Sequence, residues 1–279
     1  MFARFAPALP FNHCDSGPGR YTGRDCIIAR PVIVLTFVFL AGCAPQVVRV
    51  PVPPENIIRA NELAREADLA FARRDFYAAL IKYLEASRMN PNSQFICNKL
   101  GIAYSQLKYY AEAGSAFERS IALDRKFAYA YNNLGTVYFA MNEKNKAEKY
   151  FKKAIDLRAN TASFHVNLGT LYFEKGKFEK GMAELRKGLM LDPGILAKSD
   201  GVNLTAASSR GQSTERNYFM ARVYASMGDV DRTVDNLQQA LNNGFTDIEA
   251  IRREPDFDKV RQDSRFIAFM RQAALITKN

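Results

Sequence analysis

Small, aromatic and aliphatic residues recur along the chain every 34 positions, beginning at Ala60. In rows of this length, four rows run without a gap to residue 195, and apolar positions within a row lie three and four residues apart. That spacing is typical of amphipathic helices and not of strands. The repeated columns include Leu100-Gly101, Leu134-Gly135 and Leu168-Gly169, then Tyr104, Tyr138 and Tyr172, then Ala79, Ala113, Ala147 and Gly181, and then Tyr83, Phe117, Phe151 and Leu185.

Each row predicts two antiparallel helices joined by a short turn. Small residues in the eighth and twentieth columns allow the two helices to approach closely, because a larger side chain would overpack the contact. Turns are predicted at Lys108-Tyr109, Asn142-Glu143 and Gly176-Lys177. One helix pair cannot bury its apolar face alone, so several pairs must stack.

The repeat resembles the tetratricopeptide repeat. The resemblance implies an all-α fold, a right-handed α-α superhelix of about five helix-turn-helix repeats with a C-terminal helical cap. Four repeats are expected over 60–195, a loop or ragged helical extension over 196–213, and a fifth, degenerate repeat over 214–247. The cap is expected over 248–279, where an acidic residue twice precedes an aromatic one, in Glu254-Pro255-Asp256-Phe257 and Asp263-Ser264-Arg265-Phe266.

The N-terminal segment has the pattern of an export signal. Residues 32–43 read VIVLTFVFLAGC and follow several arginines, a run too short to span a bilayer but suited to a signal peptide. Its end, Leu40-Ala41-Gly42-Cys43, resembles the bacterial lipobox. The resemblance implies a signal peptide over 1–43, with a possibly over-extended start, and a diacylglycerol and an N-acyl chain on Cys43. A Pro-rich tether is expected over 44–59. An uncleaved anchor or a short buried helix remains the alternative.

Charge and location then bear on possible partners. The formal net charge is +10 and stays basic without residues 1–43. Such a charge suits nucleic acid, an anionic membrane or an acidic partner, but export argues against nucleic acid. Ala44, where enterobacterial lipoproteins retained at the inner membrane carry aspartate, favours the outer membrane, with the protein facing the periplasm.

Catalytic and cofactor motifs are absent from the sequence. No phosphate-binding loop, HExxH, GxSxG or CxxC occurs, so no enzyme activity, cofactor or metal site is expected. His165 and Cys97 occupy the fourth column and are interpreted as packing residues, with no identifiable partner for the histidine. Basic residues of the second helices are interpreted as a solvated surface, with a docking patch as the alternative: Lys149, Lys152, Lys153, Arg186 and Lys187.

Candidate binding residues come from the concave face, which in this repeat class is lined by the first helix of each pair. Amides and hydroxyls beside aromatics suit a bound peptide, since amides can pair with its backbone. The alternative is that Phe139 and Phe173 pack between repeats. Relatives that clamp a terminal carboxylate use Lys and Asn where this chain has Ala64 and Asp68, so that clamp is not expected. The candidate residues are Asn61, Asp68, Phe71, Phe95, Asn98, Tyr129, Asn132, Thr136, Phe139, Thr170 and Phe173.

These observations favour a lipid-anchored periplasmic adaptor that holds a partner polypeptide during assembly of an envelope complex, such as a pilus secretin or the machinery of outer-membrane biogenesis. One alternative is a regulatory subunit that recruits a periplasmic hydrolase or protease. A more remote one is a cytosolic interaction protein. The sequence leaves the partner and the oligomeric state open.

Overall fold

The computed structural model describes residues 49–198 and 210–276. The chain divides into two units, 1–44 and 45–279, and all described residues lie in the second. The predicted signal peptide, Cys43 and most of the segment 196–213 therefore lie outside the described residues. None of the described helices has the length and hydropathy needed to cross a bilayer.

The described residues fold entirely into helices and turns, as the repeat pattern predicts. The helices are α1 (Pro54–Ala72), α2 (Phe76–Met89), α3 (Gln94–Gln106), α4 (Tyr110–Leu123), α5 (Ala128–Ala140), α6 (Lys144–Leu157), α7 (Ala162–Glu174), α8 (Phe178–Leu191), α9 (Ile195–Lys198), α10 (Arg210–Met227), α11 (Val230–Asn242), α12 (Ile248–Arg253) and α13 (Ser264–Ile276), with a 3₁₀ helix at Pro255–Phe257.

Consecutive helices form antiparallel pairs whose positions repeat with the sequence period. The first helices α3, α5 and α7 begin at residues 94, 128 and 162, and the second helices α2, α4, α6 and α8 begin at 76, 110, 144 and 178. Within each set, successive helices begin 34 residues apart, which is the period of the sequence. The expectation of stacked helix-turn-helix units is confirmed.

The turn inside each repeat places one residue in the left-handed region of backbone conformation. Its φ is 62° at Arg74, 63° at Lys108 and 61° at Asn142, and it is 67° at Gly176 and 81° at Gly228. Left-handed backbone costs roughly 1–2 kcal/mol for a residue with a β-carbon, and glycine avoids this cost. Three of these turns therefore carry local strain that the packing of their two helices offsets.

Buried glycines set the distance between the two helices of a pair. A β-carbon at Gly135 would lie 2.7 Å from two ring atoms of Phe151, and one at Gly101 would lie 2.6 Å from Phe117. Both phenylalanines are 1 % exposed, so the rings have little room to move. The missing β-carbons of these glycines therefore leave the space that the two rings occupy.

Two boundaries differ from the sequence expectation. The helix α1 begins at Pro54, inside the predicted tether 44–59, because proline suits the first helical position, where no N–H is needed. The helix α10 begins at Arg210, before the fifth repeat predicted from Thr214. Of the described tether residues, only 49–53 precede the helix.

The C-terminal elements pack against the last repeat. Phe257 and Val260 are fully buried in a cluster that also contains Leu237 of α11. The Arg222 guanidinium of α10 donates to Asp256 at 2.9 Å and lies 3.1 Å from Glu254. The acidic segment before the aromatic residue thus holds the end of the chain onto the fifth helix pair.

Candidate functional site

The first helices of successive repeats form one face of the array. In this face α3 contacts α5, and α5 contacts α7. Because the first helix of one repeat contacts the first helix of the next, residues in equivalent columns of neighbouring repeats lie side by side. This is the concave face predicted to bind a partner.

A ladder of amide side chains crosses this face. Asn133 Nδ2 donates to Asn98 Oδ1 at 3.0 Å, Asn132 Nδ2 donates to Asn133 Oδ1 at 3.3 Å, and Asn167 Nδ2 donates to Asn132 Oδ1 at 2.8 Å. The ladder links α3, α5 and α7. Asn98 and Asn132 are buried, at 7 % exposure each, whereas Asn133 and Asn167 are half-buried, so the capacity that their amide N–H groups and oxygens leave for a ligand lies mainly at Asn133 and Asn167. Two members, Asn98 and Asn132, were predicted.

The sixth column of the repeat supplies the other two members. Asn133 and Asn167 occupy this column and were absent from the predicted lining, as was Lys99 one repeat earlier. The signal that could have found them is the pair of asparagines spaced by one period. The hydrogen bonds among the four asparagines therefore define the candidate site more closely than the predicted lining residues did.

A pocket of about 240 Å³ opens at the N-terminal end of the concave face, between α1 and α3. It brings together three predicted residues, Asn61, Asp68 and Phe95, and its other lining residues are Ala64, Arg65, Ser93, Ile96 and Lys99. The pocket has polar walls with one aromatic side chain at its rim.

The carboxylate in this pocket is already paired. Lys99 Nζ donates to Asp68 at 2.5 Å, and the Tyr83 hydroxyl donates to the other carboxylate oxygen at 2.5 Å. Burial, followed by the hydrogen bond to Asp68, raises the pKa of Tyr83 well above its ordinary value. Asp68 therefore gives the concave face no free negative charge.

Three predicted aromatic residues serve packing instead of a ligand. Phe173 is 5 % exposed and meets Phe178 edge-on at 5.7 Å, and Phe71 meets Phe76 in the same way at 5.1 Å. Phe139 packs on a core cluster that includes Phe151. These rings fill the space between helices because the small residues of the twentieth column leave room there. The two ring pairs lie within single repeats, while the clusters around Phe139 and Phe173 also contain Leu171 and Met220 of the next helix pair, in line with the alternative predicted for these two residues.

The two threonine side chains predicted to bind a partner differ in their exposure to solvent. Thr136 is exposed on α5, and its hydroxyl donates to the Asn132 carbonyl at 3.2 Å. Thr170 is 5 % exposed, and its hydroxyl has no hydrogen-bond partner among the described residues. Only Thr136 is open to a partner.

The remaining predicted aromatics, Phe95 and Tyr129, lie at the edge of the array near the turns between repeats. Their side chains are 57 % and 40 % exposed. Phe127 lies between them, with ring centroids 5.2 Å from Phe95 and 5.9 Å from Tyr129. The Arg158 guanidinium lies 5.3 Å from the Tyr129 ring and donates to its hydroxyl at 3.2 Å.

His165 and Cys97 are buried, as their column predicts. However, the histidine has two partners that the sequence did not reveal. Its Nδ1 lies 2.6 Å from a Glu184 carboxylate oxygen, and its Nε2 lies 2.7 Å from the Ala159 carbonyl. Burial would raise the pKa of Glu184, but hydrogen bonds from Lys187 and His165 outweigh burial and lower it. The pair joins the turn before α7 to α8.

Several cations of the second helices are also paired. Lys152 donates to Glu148 at 2.7 Å, and Lys175 donates to the other oxygen of that carboxylate at 2.5 Å. Burial would raise the pKa of Glu148, but these two hydrogen bonds outweigh burial and lower it to about 2. Arg186 lies 2.6 Å from Asp256. These residues support the helices more than they form a docking patch.

No cluster of three or more metal-ligating side chains occurs among the described residues. The Cys97 thiol is buried, and burial raises its pKa against the lowering effect of Arg119, so it is a poor nucleophile. The chemistry of the described concave face is that of hydrogen bonding and apolar contact.

Comparison with family models finds matches within the repeated part of the chain. Residues 128–160 match one family model described as tetratricopeptide repeat, and residues 96–127 and 162–195 match a second model with the same description. Among curated proteins, no sequence matches the chain.

Three solved structures are among those that the chain resembles. A crystal structure of MamA is 23 % identical and aligns over 63 % of this chain and 93 % of its own, with a TM-score of 0.44. The protein TTC0263 of Thermus thermophilus is 18 % identical over 77 % of this chain and 99 % of its own, with a TM-score of 0.48. YrrB, described as having an unusual peptide-binding site, is 18 % identical over 71 % and 93 %, with a TM-score of 0.45.

Proposed function

We propose that this chain, which carries tetratricopeptide repeats over residues 96–195, is a non-enzymatic scaffold that binds an extended segment of a partner protein on its concave face. The observation that carries the proposal is the amide ladder from Asn98 to Asn167. The buried amides of Asn98 and Asn132 hold the partly exposed amides of Asn133 and Asn167 in place, and these two can pair with peptide groups of an extended chain whatever its side chains. The pocket between α1 and α3 then accepts a polar or small side chain at one end.

The proposal includes anchoring of the scaffold to a membrane through lipid on Cys43, on the periplasmic side and in the outer membrane. Its support is the segment Leu40–Cys43 with its apolar run and preceding arginines, and all described helices follow this cysteine in the chain. More than one acyl chain on a single cysteine suffices for stable anchoring. The partner is then a protein of the cell envelope, in the assembly of an envelope complex.

Site-specific photo-crosslinking in living cells tests the binding face. A crosslinking amino acid at Thr136 of α5, which is exposed on the concave face, is compared with one at Lys153 of α6, which is exposed on a second helix. We expect an envelope protein to crosslink at Thr136 and not at Lys153. An Asn133→Ala change should weaken this crosslink, with melting temperature as the check on folding.

Other outcomes separate the parts of the proposal. Crosslinks to the same protein at both positions would move the binding site away from the concave face. Cytosolic partners would contradict the export argument. Changed turnover of a crosslinked hydrolase after deletion of the chain would favour the recruiting role over a structural one.

The mass of the mature N-terminal peptide tests the anchor separately. We expect a mass that includes a diacylglyceryl group and a fatty acyl chain on Cys43, and loss of membrane association in Cys43→Ser. An unmodified Cys43 would contradict the anchor and leave the concave-face proposal intact.

A further inference from the structure

The last described helix, α13, carries apolar side chains on two adjacent faces. Three side chains of one face are buried in the core cluster that also contains a leucine of α11: Phe266, Phe269 and Ala273. The second face begins at Ile267, continues one turn later at Met270 and ends at Leu275, whose side chain is 69 % exposed. An end repeat usually turns a polar face to water, so the packing of the described array does not account for the second apolar face.

This second face forms one wall of a groove between α12 and α13, with a volume of about 590 Å³. The other wall is short, because α12 has 6 residues and is about 9 Å long, whereas α13 has 13 residues and is about 20 Å long. The helix α12 can therefore flank only about half of α13. The rest of the second face is open to solvent, in agreement with the exposure of Leu275.

The polar side chains that line the groove are all arginines. Arg252 belongs to α12, Arg261 to the turn before α13, and Arg271 to α13 itself, and the other lining residues are apolar. A guanidinium has five N–H donors and no acceptor. The lining side chains therefore suit carboxylates and apolar groups, and they offer no strong hydrogen-bond acceptor.

The positive charge of the groove is accessible to a ligand. Arg252 pairs at 2.8 Å with Glu249, whose side chain is 63 % exposed. Arg261 pairs at 2.9 Å with Asp258, whose side chain is 67 % exposed. Exposed pairs of this kind contribute little stability, so a carboxylate of a partner can replace them at small cost. Arg271 is exposed and has no ion pair among the described residues, so the groove attracts an acidic partner.

The conformation of the occupant follows from the needs of its backbone. An extended segment that is buried needs acceptors for its N–H groups, and the side chains of the groove supply only donors. A helix satisfies its backbone groups internally, and helices pack through rows of side chains such as the row on α13. The concave face differs, since its asparagine amides both donate and accept. The groove therefore fits a helix, whereas the concave face fits an extended chain.

We propose that the groove between α12 and α13 is a second docking site, which binds an amphipathic helix of a partner protein. A row of apolar side chains on that helix packs along Ile267, Met270 and Leu275. Asp or Glu residues beside the row pair with Arg252 and Arg271. The inference does not depend on the concave-face proposal, and the two sites take segments of different conformation and charge.

Three synthetic peptides of about 18 residues, a length that permits helix formation, test the chemistry of the occupant. The acidic peptide has leucines on one helical face, at spacings of three and four residues, with glutamates on both sides of them. The basic peptide has lysine in place of each glutamate. The scrambled peptide has the composition of the acidic one, with its leucines distributed around the helix. Fluorescence anisotropy of each labelled peptide is measured with the full chain in phosphatidylcholine nanodiscs, with empty nanodiscs as the blank.

We expect the acidic peptide to bind about tenfold more tightly than either control peptide, because only it matches both the charge and the apolar row of the groove. Equal binding of the basic peptide would overturn the charge argument. Equal binding of the scrambled peptide would overturn docking as an amphipathic helix. Absence of binding by the acidic peptide at about 1 mM would overturn the site itself.

Matched substitutions locate the binding site on the chain. Leu275→Ser should weaken binding of the acidic peptide by about fivefold, whereas Leu69→Ser on α1, where the native side chain is 62 % exposed, should not. Arg271→Glu should weaken binding of the acidic peptide and strengthen binding of the basic one. Arg253→Glu, which changes an exposed arginine outside the groove, should alter neither by more than about twofold. Equal effects at the matched positions, in variants whose melting temperatures are unchanged, would overturn the proposal.

Sedimentation velocity of the full chain in detergent tests a second copy as the occupant. We expect the sedimentation coefficient to be the same in the parent chain and in Leu275→Ser, although this variant loses peptide binding. Self-association that Leu275→Ser abolishes would assign the groove to another copy of this chain and overturn the proposed partner.

Discussion

Replacing Gly135 by alanine tests whether close approach of the two helices holds each repeat together. In an exposed helix the change would stabilise by about 1 kcal/mol, because alanine loses less backbone entropy on folding. In this fold the new β-carbon would lie 2.7 Å from two ring atoms of Phe151. That is roughly 1 Å inside the optimal carbon–carbon separation, and overpacking of this kind costs about 1–3 kcal/mol. We therefore expect a net loss of about 1–2 kcal/mol in the free energy of unfolding.

The matched control is Gly114, a helical glycine in α4 of the preceding repeat. A β-carbon there would meet only the Leu134 side chain, at an ordinary 3.9 Å. Gly114→Ala should therefore stabilise by about 0.5–1 kcal/mol. The two substitutions are chemically identical, so their opposite signs isolate the effect of the neighbouring ring. Thermal unfolding followed by circular dichroism should show Gly135→Ala melting below the parent, by about 2–8 °C for a domain of this size, and Gly114→Ala melting above it.

A second background tests the ring as the cause. Phe151→Val removes the ring atoms that the new β-carbon would meet, and in that background Gly135→Ala should become neutral or stabilising. A loss of the same size in both backgrounds would refute the reasoning. A neutral effect of Gly135→Ala in the parent chain would also refute it. The first and fifth repeats have buried alanines, Ala67 and Ala221, at the equivalent position, and a neutral effect would mean that this helix pair easily adopts the wider spacing that an alanine needs.

Three further predictions follow from single contacts. Lys108→Gly should raise the melting temperature by relieving about 1 kcal/mol of left-handed strain, and an unchanged or lower melting temperature would contradict this. The folded-state pKa of Glu148 is lowered from 4.5 to about 2, so its contribution, at most about 3 kcal/mol, is full above pH 4.5 and lost as the pH falls toward 2. Glu148→Gln should therefore destabilise at pH 7 but have little effect near pH 2, as urea unfolding at both pH values would show; an equal loss at both would contradict the assignment. The His165 ring links α7 to Glu184 of α8 and to the Ala159 carbonyl, so His165→Leu should lower the melting temperature, and an unchanged melting temperature would mean that these two contacts do not stabilise the fold.

The sequence alone determined the architecture, because stacking of helix pairs depends on residue size at fixed spacing. The helices α3 to α8 begin at intervals that match the period of 34 residues, and the turn residues Lys108, Asn142 and Gly176 lie where the pattern places them. Small residues opposite aromatic ones are a local requirement of one helix pair. Such a requirement can be recognised from the residues of a single repeat.

The candidate site depended on contacts between rows, which only the tertiary structure decided. Asn133 reaches Asn98 across a separation of 35 residues, and Lys99 neutralises Asp68 across 31. The curvature of the array and the side-chain rotamers select these partners, and neither is encoded in the spacing of a single repeat. The burial of Phe173 has the same origin, because the array turns that side chain toward Phe178 and away from the concave face. The hydrogen bond from Arg49 to the Leu123 carbonyl at the end of α4 was likewise decided by the tertiary structure, because nothing in a proline-rich segment specifies the surface against which it lies.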